Sequence, residues 1–207
     1  MLRNLFILLL ALSGHTALGQ KSVSKTMAVP KVSSVQVDAG NCFQVKVQTA
    51  DINVLTVKAR MDGEYNQDLL VSMEKEGNTL AIGAGFEPNF KHPNDKLSAH
   101  KVVSIELEIT MPKHKYLQVF GTSSHVYIEG SYSFVGVVLN DGSCHLSQGA
   151  ESVKVVTQSG HIFVTDPKGS MVANSKYGKV YGKTLKTGRG ELDLQTVSGN
   201  IYIDHTK

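Results

Sequence analysis

Residues 153–164 read Val-Lys-Val-Val-Thr-Gln-Ser-Gly-His-Ile-Phe-Val, two runs of alternating apolar and polar residues broken by Thr-Gln-Ser-Gly. Period-two alternation marks a half-buried strand, because successive side chains point to opposite faces. Ser-Gly is turn chemistry. The same pattern recurs on both sides, as LQVFGTSSHVYI from Leu117, VGVVLNDGSCHL from Val135, MVANSKYGKVYG from Met171 and LDLQTVSGNIYI from Leu192. The turn position holds Ser124, Gly142, Gly160, Gly178 and Gly199, so the spacings are 18, 18, 18 and 21, the last stretched by an insertion within Thr184–Gly190. Self-similarity at a fixed period predicts a solenoid.

The columns of this repeat say why. Leu117, Val135, Val153, Met171 and Leu192 share the first inward position, and Val119, Val137, Val155, Ala173 and Leu194 the second. After the turn come Val126, Cys144, Ile162, Val180 and Ile201, then Ile128, Leu146, Val164, Gly182 and Ile203. Every position but Gly182 is apolar or cysteine. The expected fold is all-β: a single-stranded, right-handed-type parallel β-helix (β-solenoid) of about five 18-residue coils over residues 116–207, stacked in chain order about 4.8 Å apart. Each buried aliphatic contributes ~1.5–3 kcal/mol, set against chain entropy. The recurring glycines are expected to supply φ > 0 at each turn.

Residues 35–115 look different. Strands are predicted at Val35–Asp38, Phe43–Thr49, Val54–Met61, Leu69–Lys75, Leu80–Ala84 and Val102–Ile109, with a hairpin turn at Glu76-Gly77-Asn78. This half is expected to be an antiparallel β layer capping the open end of the repeats, whose unpaired strand edges need cover. Residues 20–34 are read as disordered. Residues 1–19 read as a secretory signal peptide: Arg3, the apolar run Leu5–Leu12, and small residues at Ala17-Leu18-Gly19 before Gln20. That run is too short to span a bilayer, which takes about 20 residues. In an oxidising compartment Cys42 and Cys144 could form a disulfide or stay separate; alternation points Cys42 outward with Gln44 and Lys46, and Cys144 inward.

The order of a hairpin-rich first half, a strand ending in Met111-Pro112-Lys113, and repeats of the form Val-x-Thr-x-Ser-Gly-x-Ile-x-Val resembles the bacterial putative-adhesin β-solenoid family. That family is a domain of unknown function related to the heads of autotransporter-like adhesins. The resemblance covers about Val35–Asp204, and the Gly-Gln signal end and NDKLSAHKV resemble exported envelope proteins of Bacteroidetes-type bacteria. It implies fold and export, and transfers no catalytic or ligand residue.

One outward column is the first candidate site. Tyr127, His145, Phe163, Tyr181 and Tyr202 fall between the two inward positions of the second strand, one per coil. They could offer flat surfaces to a glycan or a protein partner, or they could simply stabilise the sheet or lie under the first half. Beside them His125 and His161 occupy equivalent positions two coils apart with Ser143 between, a spacing of about 10 Å that does not suit a metal. Lys176, Lys179, Lys183, Lys186 and Arg189 form a basic patch without an acid, suited to anionic glycan or headgroups or to a solvated edge. The loop Gly85–Lys101, with Phe86, Phe90, His92, Asp95 and His100, is long enough to be functional or mobile.

Catalysis by a polysaccharide-active β-helix is the rival reading, and it needs carboxylates about 5–9.5 Å apart. Among Glu129, Asp141, Glu151, Asp166, Glu191, Asp193 and Asp204, only Glu129 and Asp204 share a column, four coils apart in chain order. No phosphate loop, nucleophile elbow or cysteine-rich metal spacing occurs. The formal charge of +3 falls to +2 once Arg3 is removed with the leader, and so small a charge argues for neither nucleic acid nor an anionic membrane as an obligate partner. The expectation is an exported, non-catalytic adhesin-like binding or structural module without cofactor, periplasmic, secreted or at the cell surface, with a glycan or envelope protein as partner. A periplasmic part in an envelope-stress system is the remaining alternative.

Overall fold

The computed structural model describes residues 20–63, 66–87, 103–147, 149–188 and 190–205. They are all-β, with one 3-10 turn at Asn66–Asp68. One sheet of eight strands holds β2 (Ser34–Asp38), β5 (Leu69–Glu76), β6 (Thr79–Phe86), β8 (Tyr116–Gly121), β10 (Tyr132–Leu139), β12 (Ala150–Thr157), β14 (Ser170–Ser175) and β16 (Glu191–Thr196). A second sheet of nine holds β1 (Lys21–Ala28), β3 (Gln44–Ala50), β4 (Val54–Asp62), β7 (Ser104–Pro112), β9 (His125–Glu129), β11 (Ser143–Ser147), β13 (His161–Thr165), β15 (Val180–Tyr181) and β17 (Ile201–Asp204). Through the repeat the chain passes alternately from one sheet to the other, and inward residues of both sheets join in one core.

The 18-residue register is present in both sheets. Leu117 lies beside Val135 and Val135 beside Val153, while Val126 lies beside Cys144 and Cys144 beside Ile162, all in parallel pairs. The stacking does not follow chain order to the end. Val153 is beside Leu192 rather than Met171, and Met171 lies beyond Leu192; Ile201 likewise sits between Ile162 and Val180. The last pass is therefore inserted under the one before it. Its inward residues Leu192, Leu194, Ile201 and Ile203 are all buried, whereas the displaced pass brings Ala173, Gly182 and a Val180 that is 39 % exposed. Placing the more apolar pass inside removes more surface from water.

The first half is not a separate antiparallel layer. β2 pairs in parallel with β8 and β6, and β3 with β9 and β7, so Val35 stands beside Leu117 and Val45 beside Val126 in the repeat's own columns. Antiparallel pairing occurs for β1 with β4, β4 with β7, and β5 with β6. Residues 21–28, expected to be disordered, form edge strand β1.

Two further expectations are corrected locally. Cys42 is buried and Phe43 is 52 % exposed, the reverse of the alternation, because both precede β3 and Cys42 N–H bonds the Ala39 carbonyl in a turn. Cys42 and Cys144 are both free thiols. Of the turn glycines only Gly142 has positive φ, 91°. At Gly178 and Gly199 the requirement is space: a Cβ would meet the Gly199 carbonyl oxygen at 2.0 Å and the Gly160 carbonyl oxygen at 2.1 Å.

Candidate functional site

Alternation along β9, β11, β13, β17 and β15 sends one aromatic residue per strand to the outer face of the nine-stranded sheet. The parallel register then lines these residues up. Tyr127 stacks on His145 at 4.5 Å between ring centroids, His145 on Phe163 at 4.4 Å, Phe163 on Tyr202 at 4.8 Å and Tyr202 on Tyr181 at 5.0 Å, with planes within 12° of parallel. All five predicted residues come together, with Tyr202 and Tyr181 exchanged in order because β17 lies inside β15. The stacking revises their chemistry. Each inner ring turns both faces to a neighbour, so His145, Phe163 and Tyr202 present no free flat surface.

Imidazoles flank the ladder. His125 Nδ1 is 2.8 Å from Ser143 Oγ, which is 2.9 Å from His145 Nε2. Burial, and then the charge of His125, lower the pKa of His145, favouring its neutral form. His161 Nδ1 accepts the Asn200 N–H at 2.9 Å. Among the described residues no three His, Cys, Asp or Glu side chains gather as metal ligands.

Beyond Tyr127 the same outward row continues onto the first half of the chain. Tyr127 is the cross-strand neighbour of Lys46, Lys46 of Glu108, and Glu108 of Lys58. A depression of about 400 Å³ opens here, with Lys46, Gln48, Lys58, Glu108, Tyr127 and Glu129 in its lining. Gln48 Nε2 donates to Thr110 Oγ1 at 3.0 Å. The charged atoms of Lys46, Lys58, Glu108 and Glu129 form no ion pair or hydrogen bond among the described residues, although Arg60 and Glu106, one alternation away on the same two strands, bridge at 3.1 Å. Alternation in the sequence places Lys46 outward beside Gln44, while Lys58 and Glu108 fall only within predicted strands; the meeting of the three depends on pairings 50 to 81 residues apart.

The chain is similar in fold to a putative cell adhesion protein from Clostridium sporogenes, with a TM-score of 0.67 at 14 % identity over 91 % of this chain and 100 % of that one. A putative adhesin from Bacteroides fragilis aligns with a TM-score of 0.40 at 14 % identity over 91 % of this chain and 99 % of that one. One from Parabacteroides distasonis gives 0.37 at 13 % identity over 90 % and 97 %. The first likeness is one of fold alone. No family model matches the chain, and no curated protein does.

The remaining candidates do not join this site. Lys176, Lys179, Lys183 and Lys186 lie on the outermost pass and the connection after it, with Lys176 Nζ 4.9 Å from the Tyr177 ring centroid; Arg189 lies outside the described residues. So do Phe90, His92, Asp95 and His100 of the predicted loop, and the predicted signal segment. Glu129 and Asp204 are three strands apart rather than four, about 14 Å, with Ser147 and Thr165 between them. No helix among the described residues is long and apolar enough to cross a membrane.

Proposed function

We propose that this chain is an exported, non-catalytic β-solenoid of the bacterial envelope or cell surface, a binding module of the adhesin kind whose contact surface is the outer face of the nine-stranded sheet. The observation that carries the reading is the ring ladder running into a polar depression on that face. Five rings held in line by strand register form a stiff surface, and rigid contacts lose little entropy on binding. The leader-like residues 1–19 support export. Backbone hydrogen bonds that continue from pass to pass through the corner, such as Asp141 N to Thr122 O at 2.7 Å and Ser159 N to Asn140 O at 2.7 Å, support a solenoid. The cell-adhesion description of the Clostridium protein of like fold agrees with this broad role.

The rival reading, hydrolysis of a polysaccharide, would have to use the carboxylates of the same depression. Glu108 and Glu129 both line the depression and both are exposed. The test is capture of purified peptidoglycan, envelope polysaccharide and envelope proteins by the immobilised chain. Binding should fall in the double variant Tyr127→Ala/Tyr181→Ala, and the polysaccharides should be recovered uncut. Full retention of binding in that variant would remove the outer face from the proposal, and release of reducing ends would replace it with catalysis.

A further inference from the structure

The ladder has two ends, and they differ. Tyr181 stands on the two-residue edge strand β15, with no further strand beside it among the described residues. Tyr127 stands inside the sheet, stacked by His145 on one face and turned on the other toward β3, where the neighbour is Lys46. That second face of Tyr127 has no ring partner among the described residues, and it borders the depression.

We propose that the depression binds a saccharide ring, packed by its C–H face on Tyr127 with its hydroxyls turned to Lys46, Gln48 and Glu108. This rests on the outer face of the nine-stranded sheet being the contact surface. The argument is one of matching groups. A single aromatic wall opposite polar walls suits a ligand with one apolar and one polar side. A wholly apolar ligand would strip water from two ammonium and two carboxylate groups without return. A strongly anionic one would meet Glu108 and Glu129 as well as Lys46 and Lys58. A sugar hydroxyl both donates and accepts, so it can serve ammonium and carboxylate alike. These four charged groups are not committed to one another, while Arg60 and Glu106 nearby are. The volume of about 400 Å³ falls in the range of small-ligand sites.

The experiment uses the full chain and the methyl glycosides and disaccharides of glucose, galactose, N-acetylglucosamine and glucuronic acid, by saturation-transfer NMR and calorimetry. A neutral glycoside should bind with its ring C–H protons most strongly saturated. Tyr127→Ala should weaken it about tenfold, the scale of one lost ring stack, and Glu108→Gln should weaken it severalfold. Tyr127→Trp should bind within about threefold of the parent, since it keeps a stacking face. The natural chain has no tryptophan, so the fluorescence of that variant should shift on titration, which also reports that the fold is intact. Val138→Ser, on the outer face of the other sheet, should leave binding unchanged. Saccharide binding that survives Tyr127→Ala overturns this site while the broader reading stands. Binding of an envelope protein but of none of these sugars has the same effect, and binding of neither removes both.

Discussion

At the scale of single residues, burial sets the chemistry of the titratable groups in and beside the core. The thiols of Cys42 and Cys144 are pushed up to about 12 from 9.0, by loss of hydration in both cases and by the charge of Asp38 for Cys42. Because the folded values lie above the unfolded ones, the unfolded chain loses these protons first as pH rises. The contribution is therefore whole below pH 9 and declines from there through about 12, by at most about 1.4 kcal/mol per pH unit for each thiol. Denaturant titrations between pH 8 and 11 should show the fall, and Cys144→Ala should reduce its slope. A thiol reagent should label neither cysteine until the chain is unfolded; rapid labelling of the native protein would contradict the burial. His145 runs the other way. Its folded value is lowered, so its share of stability is present above the ordinary histidine range and is lost as pH falls through it. His145→Phe keeps a stacking ring without the titration and should flatten the stability profile between pH 7 and 5, as read from urea midpoints.

At the scale of the element, the turn between the two strands of a pass explains the Thr-x-Ser-Gly signature. Thr157 Oγ1 donates to the Gly160 carbonyl at 2.6 Å, and Thr196 Oγ1 accepts the Gly199 N–H at 3.0 Å, both hydroxyls being buried. The glycine then lets neighbouring turns approach. Gly199→Ala would set a Cβ 2.1 Å from the Gly160 carbonyl oxygen, whereas a Cβ at Gly160 itself would have its closest neighbour at 3.3 Å. Gly199→Ala should therefore cost about 1–3 kcal/mol in a chemical melt, and Gly160→Ala clearly less; equal costs would contradict this geometry. This level was largely legible in the sequence, since period-two alternation fixes which side chains face in and turn residues fix where strands stop. Tyr127, His145, Phe163, Tyr181 and Tyr202 could be placed on one outer face for that reason. What alternation cannot carry is the identity of the neighbouring strand. VQVDAGNCFQVKV at 35–47 has the same inward valines as a repeat, but it lies 82 residues before its partner and lacks the Ser-Gly turn, so its place beside Leu117 and Val126 was hidden. The depression at Lys46, Glu108 and Tyr127 was hidden with it.

At the scale of the whole molecule, both ends of the stack are out of chain order. β2 and β3, early in the sequence, lie between β6 and β8 and between β7 and β9, and the last pass lies beneath the one before it. Pairings of such long sequence separation must wait for the chain to close large loops, which slows folding. They also fix which segment guards the open end. The outermost pass carries Val172 at 63 % exposure and ends in the two-residue strand β15, while Leu194 and Ile201 of the inserted pass are fully buried. Local opening follows the number of buried neighbours and not position in the sequence. Hydrogen exchange measured by mass spectrometry should thus show residues 170–181 losing protection first and residues 192–203 holding it longer, although the latter come later in the sequence. Stacking in chain order would give the opposite ranking, because the pass beginning at Leu192 would then be the exposed edge. The two orders place the same apolar residues on the same face, so burial patterns inferred from sequence are blind to the difference. Exchange rates are not, and protection of 170–181 exceeding that of 192–203 would show that the chain stacks as its repeats are written.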